Sequence, residues 1–146
     1  MRTPEGLYLL INSLPLPLWL AWILAPRSAV ARTFARALWP WAVLAAGYVV
    51  LIGASMLVFP SAPGASMATL PGVMAIFDSE WATLGAWMHY LCFDAFVARW
   101  MVNDAPDAGY RLSPVLLLTL FFGPAGLLLY LALRERLRGG VSGVAA

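Results

Sequence analysis

Apolar positions gather into four long blocks, at about 6–25, 38–59, 80–101 and 114–133, separated by short polar or Pro/Gly-rich stretches. Each block is close to the ~20 residues that cross about 30 Å of hydrocarbon as a helix. None alternates apolar and polar residues over about ten positions, as a transmembrane strand does. A helix is then the element that satisfies the backbone within lipid. The punctuation agrees. Pro26 and Arg27 stop the first helix. Trp39, Pro40 and Trp41 open the second, with Pro in a tolerated first-turn position and two Trp suited to the membrane interface. Pro60 ends it, and 60–77 reads as a loop with a short interfacial turn at 73–77. Asp78 is placed to cap the third helix, and Glu80 favours its positive end. Asn103 to Arg111 forms a polar link. Ser113 and Pro114 read as cap and first turn of the fourth helix, which Arg134, Arg136 and Arg138 close in charge. The pattern predicts an all-α integral membrane protein, a four-transmembrane-helix bundle in one domain over 1–138, followed by a flexible tail over 139–146.

The first block has a second reading. Arg2, an apolar run and Ala29-Val30-Ala31 resemble a secretory signal with its cleavage site. The run is about 18 residues, beyond the usual 7–15, and contains Asn12, Pro15 and Pro17, which favours a retained membrane helix. Composition supports the membrane class: 62% of residues are hydrophobic and 11% charged, against about 25% charged in soluble domains. The nine basic residues are all Arg, and a net charge of +2, thinly spread, does not point to nucleic acid. Arg27, Arg32, Arg36 and Arg111 place one side of the bundle in the cytoplasm, whereas Arg2, Arg134, Arg136 and Arg138 place the other there. Four against four leaves the orientation open. Cys92 has no partner for an intramolecular disulfide and reads as a small buried hydrophobe.

Candidate chemistry concentrates in the third block, which carries His89, the only histidine, with Asp94 and Arg99. A charge at the bilayer centre costs about 2.5–3.5 kcal/mol on insertion scales, so such residues face protein or water and are functional candidates. On a helical wheel Glu80, Trp87, Asp94 and Met101 share a face, Tyr90 can touch Asp94, and His89 aligns with Phe93, Phe96 and Trp100. His89 and Asp94 lie about 140° apart, so spacing alone does not make them an acid–base dyad. His89 is a proton donor or acceptor, or else a neutral tie between helices. Asp94 orients or protonates a ligand, or else pairs with an Arg. Arg99, near the helix end, snorkels or orients a ligand. One histidine cannot hold the iron of a membrane oxygenase, and no zinc set, phosphate loop or nucleophile turn is present. No metal or other cofactor is expected. In the fourth block Pro124 bends the helix, and Gly123 and Gly126 admit a close helix or a flat ligand. Asn12 is interhelical glue or a ligand contact.

The run Trp87-x-His89-Tyr90-Leu91-x-Phe93-Asp94-x-Phe96-Val97-x-Arg99-Trp100, then Asp104, then Phe122-Gly123-Pro124-x-Gly126-Leu127-Leu128-Leu129-Tyr130, resembles the abscisic-acid-deficient-four-like family. Asn12, Trp19 and Pro26 add to the likeness, and Ala98 stands where that family usually has Gly. The resemblance implies a four-helix membrane protein. Plant members are plastid membrane proteins required to form neoxanthin from violaxanthin. With no obvious plastid transit peptide, this chain reads as a bacterial member in the inner membrane. The resemblance further implies a carotenoid or similar isoprenoid lipid as ligand. The expected chemistry is non-redox isomerisation, an epoxide opening with proton loss that needs an acid and a base but no metal. His89 and Asp94 are the expected proton-handling groups, and Trp87, Tyr90, Arg99, Asn12, Gly123 and Pro124 the expected binding residues. The alternative is an accessory membrane protein supporting a pigment enzyme or complex. Homo-oligomerisation stays open.

Overall fold

The computed structural model describes residues 3–59 and 61–139. Arg2, the expected helix stop at Pro60 and all but Gly139 of the expected flexible tail over 139–146 lie outside the described residues. The elements are α1 (Thr3–Ser13), α2 (Leu16–Leu24), α3 (Ala29–Arg36), α4 (Trp39–Leu57), α5 (Leu70–Phe77), α6 (Glu80–Asp104), a 3₁₀ turn (Gly109–Leu112), α7 (Ser113–Phe122) and α8 (Pro124–Arg138). The described residues contain no strand. Two stretches, Pro4–Leu24 and Trp39–Leu57, are long and apolar enough to cross a membrane. The 25 residues of α6 reach about 37 Å, but they include Glu80, Asp94, Arg99 and Asp104.

The second and third apolar blocks fall in α4 and α6, whereas the first and fourth are each divided between two helices. The block at 6–25 breaks into α1 and α2 at Leu14 and Pro15, where Pro15 precedes α2 and Pro17 sits in its first turn. Neither proline has an N–H to donate to the preceding turn. The block at 114–133 is not one helix either. It divides at Gly123, whose φ of +32° lies in a region that side chains avoid. A Cβ placed on Gly126 would stand 2.5 Å from the backbone N and Cα of Thr119, so the chain folds sharply enough for α8 to lie directly on α7.

Two helices lie where loops were expected. The Ser28 hydroxyl accepts from Ala31 N–H at 3.0 Å and starts α3, which buries Ala31 and Ala35 and exposes Arg32 and Arg36. The Thr69 hydroxyl accepts from Gly72 N–H at 3.1 Å and, with Pro71 in the first turn, starts α5 three residues ahead of the expected turn. Two cap assignments also change. Asp78 terminates α5, and it is Ser79 that accepts from Ala82 N–H, at 3.4 Å, to start α6. The Ser113 hydroxyl donates to the Ile23 carbonyl at 2.8 Å and so ties α7 to α2 rather than capping its own helix.

The contacts group residues into two compact units. The first takes 1–14 and 41–92, and the second 15–40 and 93–146. In the first, Ile11, Leu44, Leu51, Leu84 and Met88 form the core. Glycines bring α4 and α6 close: a Cβ on Gly47 would meet Met88 at 2.8 Å, and one on Gly85 would meet Ile52 at 2.6 Å. In the second, Trp19, Trp22, Met101, Val115, Leu116 and Tyr130 are fully or almost fully buried. Trp22 satisfies its indole N–H on the Ala31 carbonyl at 3.1 Å, which docks α3 on α2.

Candidate functional site

The first unit contains a cleft of about 840 Å³ between α4, α5, the start of α6 and the loop over 61–67. Its walls are largely apolar: Ile52 and Met56 from α4, Val73, Ile76 and Phe77 from α5, Ala82 and Ala86 from α6. Three groups able to exchange protons line it: Tyr48, His89 and Tyr90. The ring centroids of Tyr48 and His89 are 5.6 Å apart, and the Tyr90 ring stands edge-on to His89 at 6.1 Å. The volume lies in the range of small-molecule sites, and histidine is the side chain most often used for general acid–base catalysis. Of the expected residues, His89 and Tyr90 reach this cleft.

Trp87 does not line it. Its indole N–H donates to the Asn12 side-chain carbonyl at 3.0 Å, and its ring lies 6.1 Å from that of Tyr8. Asn12 in turn donates to the Tyr8 carbonyl at 2.9 Å. Both polar groups are occupied in joining α1 to α6, the role of interhelical glue.

Asp94, Arg99, Gly123 and Pro124 belong to the second unit. The Asp94 carboxylate packs on the turn between α7 and α8, with Oδ1 2.5 Å from where a Gly123 Cβ would stand. Asp94 forms no ion pair among the described residues. Arg99 is half-buried, and its backbone carbonyl accepts from the Asn103 amide at 3.0 Å. Pro124 opens α8 and is exposed.

The strongest polar cluster in the second unit lies elsewhere. Asp104, at the end of α6, accepts from Arg134 through both carboxylate oxygens, at 2.7 and 2.8 Å, and from the Tyr130 hydroxyl at 2.6 Å. Arg138 stands 3.8 Å away. Trp100 packs edge-on against Tyr130 at 5.2 Å and lies under the Arg134 guanidinium at 5.8 Å. Four-residue spacing on both helices brings these groups into register. Each oxygen already has a donor, so the cluster fastens α8 to α6 and leaves little capacity for a ligand. The Arg134 hydrogen bonds, and next the Tyr130 hydroxyl, hold the Asp104 carboxyl well below the usual carboxylate range. A lowered folded-state pKa makes the contribution complete above the unfolded value, about 3.9, and erodes it as pH falls below that toward the folded value. Thermal unfolding of the wild type and Asp104→Asn is therefore expected to differ clearly at neutral pH and to converge as pH drops below about 4. A constant gap down to the lowest accessible pH would count against the cluster as drawn.

Sequence reasoning passed over Tyr48 by grouping the tyrosines with the interface belts, although its place at the middle of the block at 38–59 was a usable signal. Arg134 was taken only as a terminal charge, although its spacing of four from Tyr130 was a usable signal. No group of three or more His, Cys, Asp or Glu side chains among the described residues could hold a metal ion.

Comparison with known proteins adds a family. The profile described as ABA DEFICIENT 4-like matches residues 6–130. Protein ABA DEFICIENT 4, chloroplastic, from Arabidopsis thaliana is 27% identical over 116 residues, which cover 77% of this chain and 53% of that protein. The chain thus spans about half the length of the curated relative it matches. No solved structure matches it. The matched stretch takes in both the cleft residue His89 and the turn at Gly123, and over that length the chain belongs to the ABA DEFICIENT 4-like family.

Proposed function

We propose that this protein binds one end of a carotenoid or similar isoprenoid lipid in the cleft of the first unit. The observation that carries the proposal is an apolar cleft of about 840 Å³ with His89 and Tyr48 side by side in its wall. A cleft of this size takes the ring and first few carbons of a long polyene, and the remainder would lie in lipid. The four apolar blocks are proposed to sit in the bilayer as a multi-pass protein. At 10 residues α7 extends only about 15 Å, so the fourth block enters as a broken helix. Such breaks are tolerated where neighbouring protein covers them, and here α8 covers α7.

The chemistry proposed is non-redox isomerisation. Protonation of an epoxide oxygen opens the C–O bond, loss of a proton from carbon forms the double bond, and no electrons are exchanged. One imidazole can serve both steps, giving a proton to oxygen and then accepting one from carbon. His89 is assigned that role, with Tyr48 and Tyr90 as its polar neighbours. Asp94 is assigned to support of the Gly123 turn, which its carboxylate touches. Binding is tested with Ala86→Phe, which fills the cleft from the α6 side. Purified protein titrated with a ring-ended epoxy carotenoid is expected to induce circular dichroism in the polyene band for the wild type and not for Ala86→Phe. Equal signals from both would remove the ligand from this cleft.

An accessory, non-enzymatic role is the second reading. It is favoured by the number of polar side chains already spent on packing, Asn12 with Trp87 and Asp104 with Arg134. In that case substitutions at His89 alter conversion only as far as they alter protein abundance.

A further inference from the structure

The second unit has a cleft of its own, about 960 Å³ in volume and different in character. Four arginines line it, Arg27, Arg32 and Arg36 from around α3 and Arg111 from the 3₁₀ turn, against the single carboxylate of Asp107. The ion pairs among the described residues join Arg134 and Arg138 to Asp104, and Arg138 to Glu135. None of them neutralises these four.

Local structure holds the arginines around the cavity. Arg32 and Arg36 are one turn apart on the exposed face of α3, whose other face is buried through Ala31 and Ala35. The Arg32 guanidinium donates to the Arg27 carbonyl, and Arg111 donates to the carbonyls of Ala108 and Arg136 at 3.4 Å each. The Asn103 amide, also in the wall, is committed to the Ala35 and Arg99 carbonyls. Gly109 is required here: its φ is +55°, and a Cβ would stand 3.2 Å from Arg27 Nε. Like charges are thus collected around one concavity with guanidinium donors to spare. An anion offering several acceptor oxygens is the partner that satisfies them.

We propose that this cleft binds the phosphate of an anionic lipid headgroup. Phosphate oxygens match guanidinium forks in geometry and charge. The volume exceeds that of a bare phosphate, and Pro26, Val102 and Pro106 give the cavity apolar wall for the glycerol and first acyl carbons. The site is in a different unit from the carotenoid cleft, so either proposal can fail without the other.

The test uses the full chain in neutral detergent, reconstituted with mixtures of phosphatidylglycerol and phosphatidylcholine, with retained lipid counted after washing. Phosphatidylglycerol is expected to be retained preferentially. Each arginine near an anionic surface contributes a factor of roughly five, so Arg32→Gln with Arg36→Gln should lower the preference roughly 25-fold. Arg136→Gln, outside the cleft wall, should leave it unchanged, and helix content should be equal in all three proteins. Equal retention of the two lipids would overturn the proposal. So would an unaltered preference in the double variant, or displacement of the lipid by millimolar inorganic phosphate, which would identify a soluble phosphate as the occupant.

Discussion

Gly126→Ala is expected to cost more stability than the same change at any other described glycine. The new Cβ would lie 2.5 Å from the backbone N and Cα of Thr119 and closer still to its hydroxyl. Backbone cannot yield as the end of a flexible side chain can. Thr119 is itself fully buried and holds the Val115 carbonyl at 2.8 Å. Overpacking usually costs about 1–3 kcal/mol, and a clash with backbone belongs at or beyond the top of that range. The α7–α8 turn should fail to close, with low recovery of monodisperse protein and a lower unfolding temperature in detergent. Gly53→Ala is the matched control. It too is a helical glycine, but nothing lies within 4 Å of its Cβ position. Helix propensity there should give neutral behaviour or a gain of up to about 1 kcal/mol. Equal behaviour of the two variants would mean that α8 does not rest on α7 as described.

The second large effect is expected at His89 and concerns chemistry rather than stability. His89→Gln keeps a planar polar side chain of similar size on an exposed position of α6, but it cannot carry a proton between two sites. Conversion of an epoxy carotenoid should fall by about 10²–10⁴, the usual contribution of a positioned acid–base group. Binding to the cleft and protein abundance should stay near wild type. Asp94→Asn should do the reverse, with conversion following abundance, because the Asp94 carboxylate packs on Gly123. Product analysis normalised to protein separates the two. Loss of conversion in Asp94→Asn at full abundance, with none in His89→Gln, would exchange their roles.

Some of this was legible in the residues. Hydropathy located α4 and α6 to within a few positions, because a long apolar run bounded by Pro, Trp or charge leaves little choice of element. Hydropathy is silent on breaks inside a run. The Leu14–Pro15 break and the Gly123 turn keep the apolar character of their blocks, and Pro124 alone predicts a bend rather than a reversal onto Thr119. Short helices were missed for the opposite reason: α3 carries Arg32 and Arg36 and reads as a polar loop until Ser28, Ala31 and Ala35 are seen as a cap and a buried face.

At the candidate site, the membrane cost of an ionisable side chain drew attention to His89 and Asp94; His89 is exposed along the cleft and Asp94 is half-buried. The wheel separated them, and the structure assigns them to different units. What a wheel of α6 could not supply was the neighbouring element. Tyr48 beside His89 and Arg134 beside Asp104 come from other helices, 41 and 30 positions away in sequence. Asn12 with Trp87, 75 positions apart, is of the same kind. Contacts of that range depend on tertiary packing, which local periodicity does not encode.

The most direct measurement of the central claim is the absorption spectrum of the protein purified in mild detergent from a carotenoid-producing host. Expected is a structured polyene band that co-elutes with the protein at a fixed ratio and is absent from Ala86→Phe purified in equal amount. A colourless wild-type protein from a pigmented host, or an undiminished band in Ala86→Phe, would contradict isoprenoid binding in the His89 cleft.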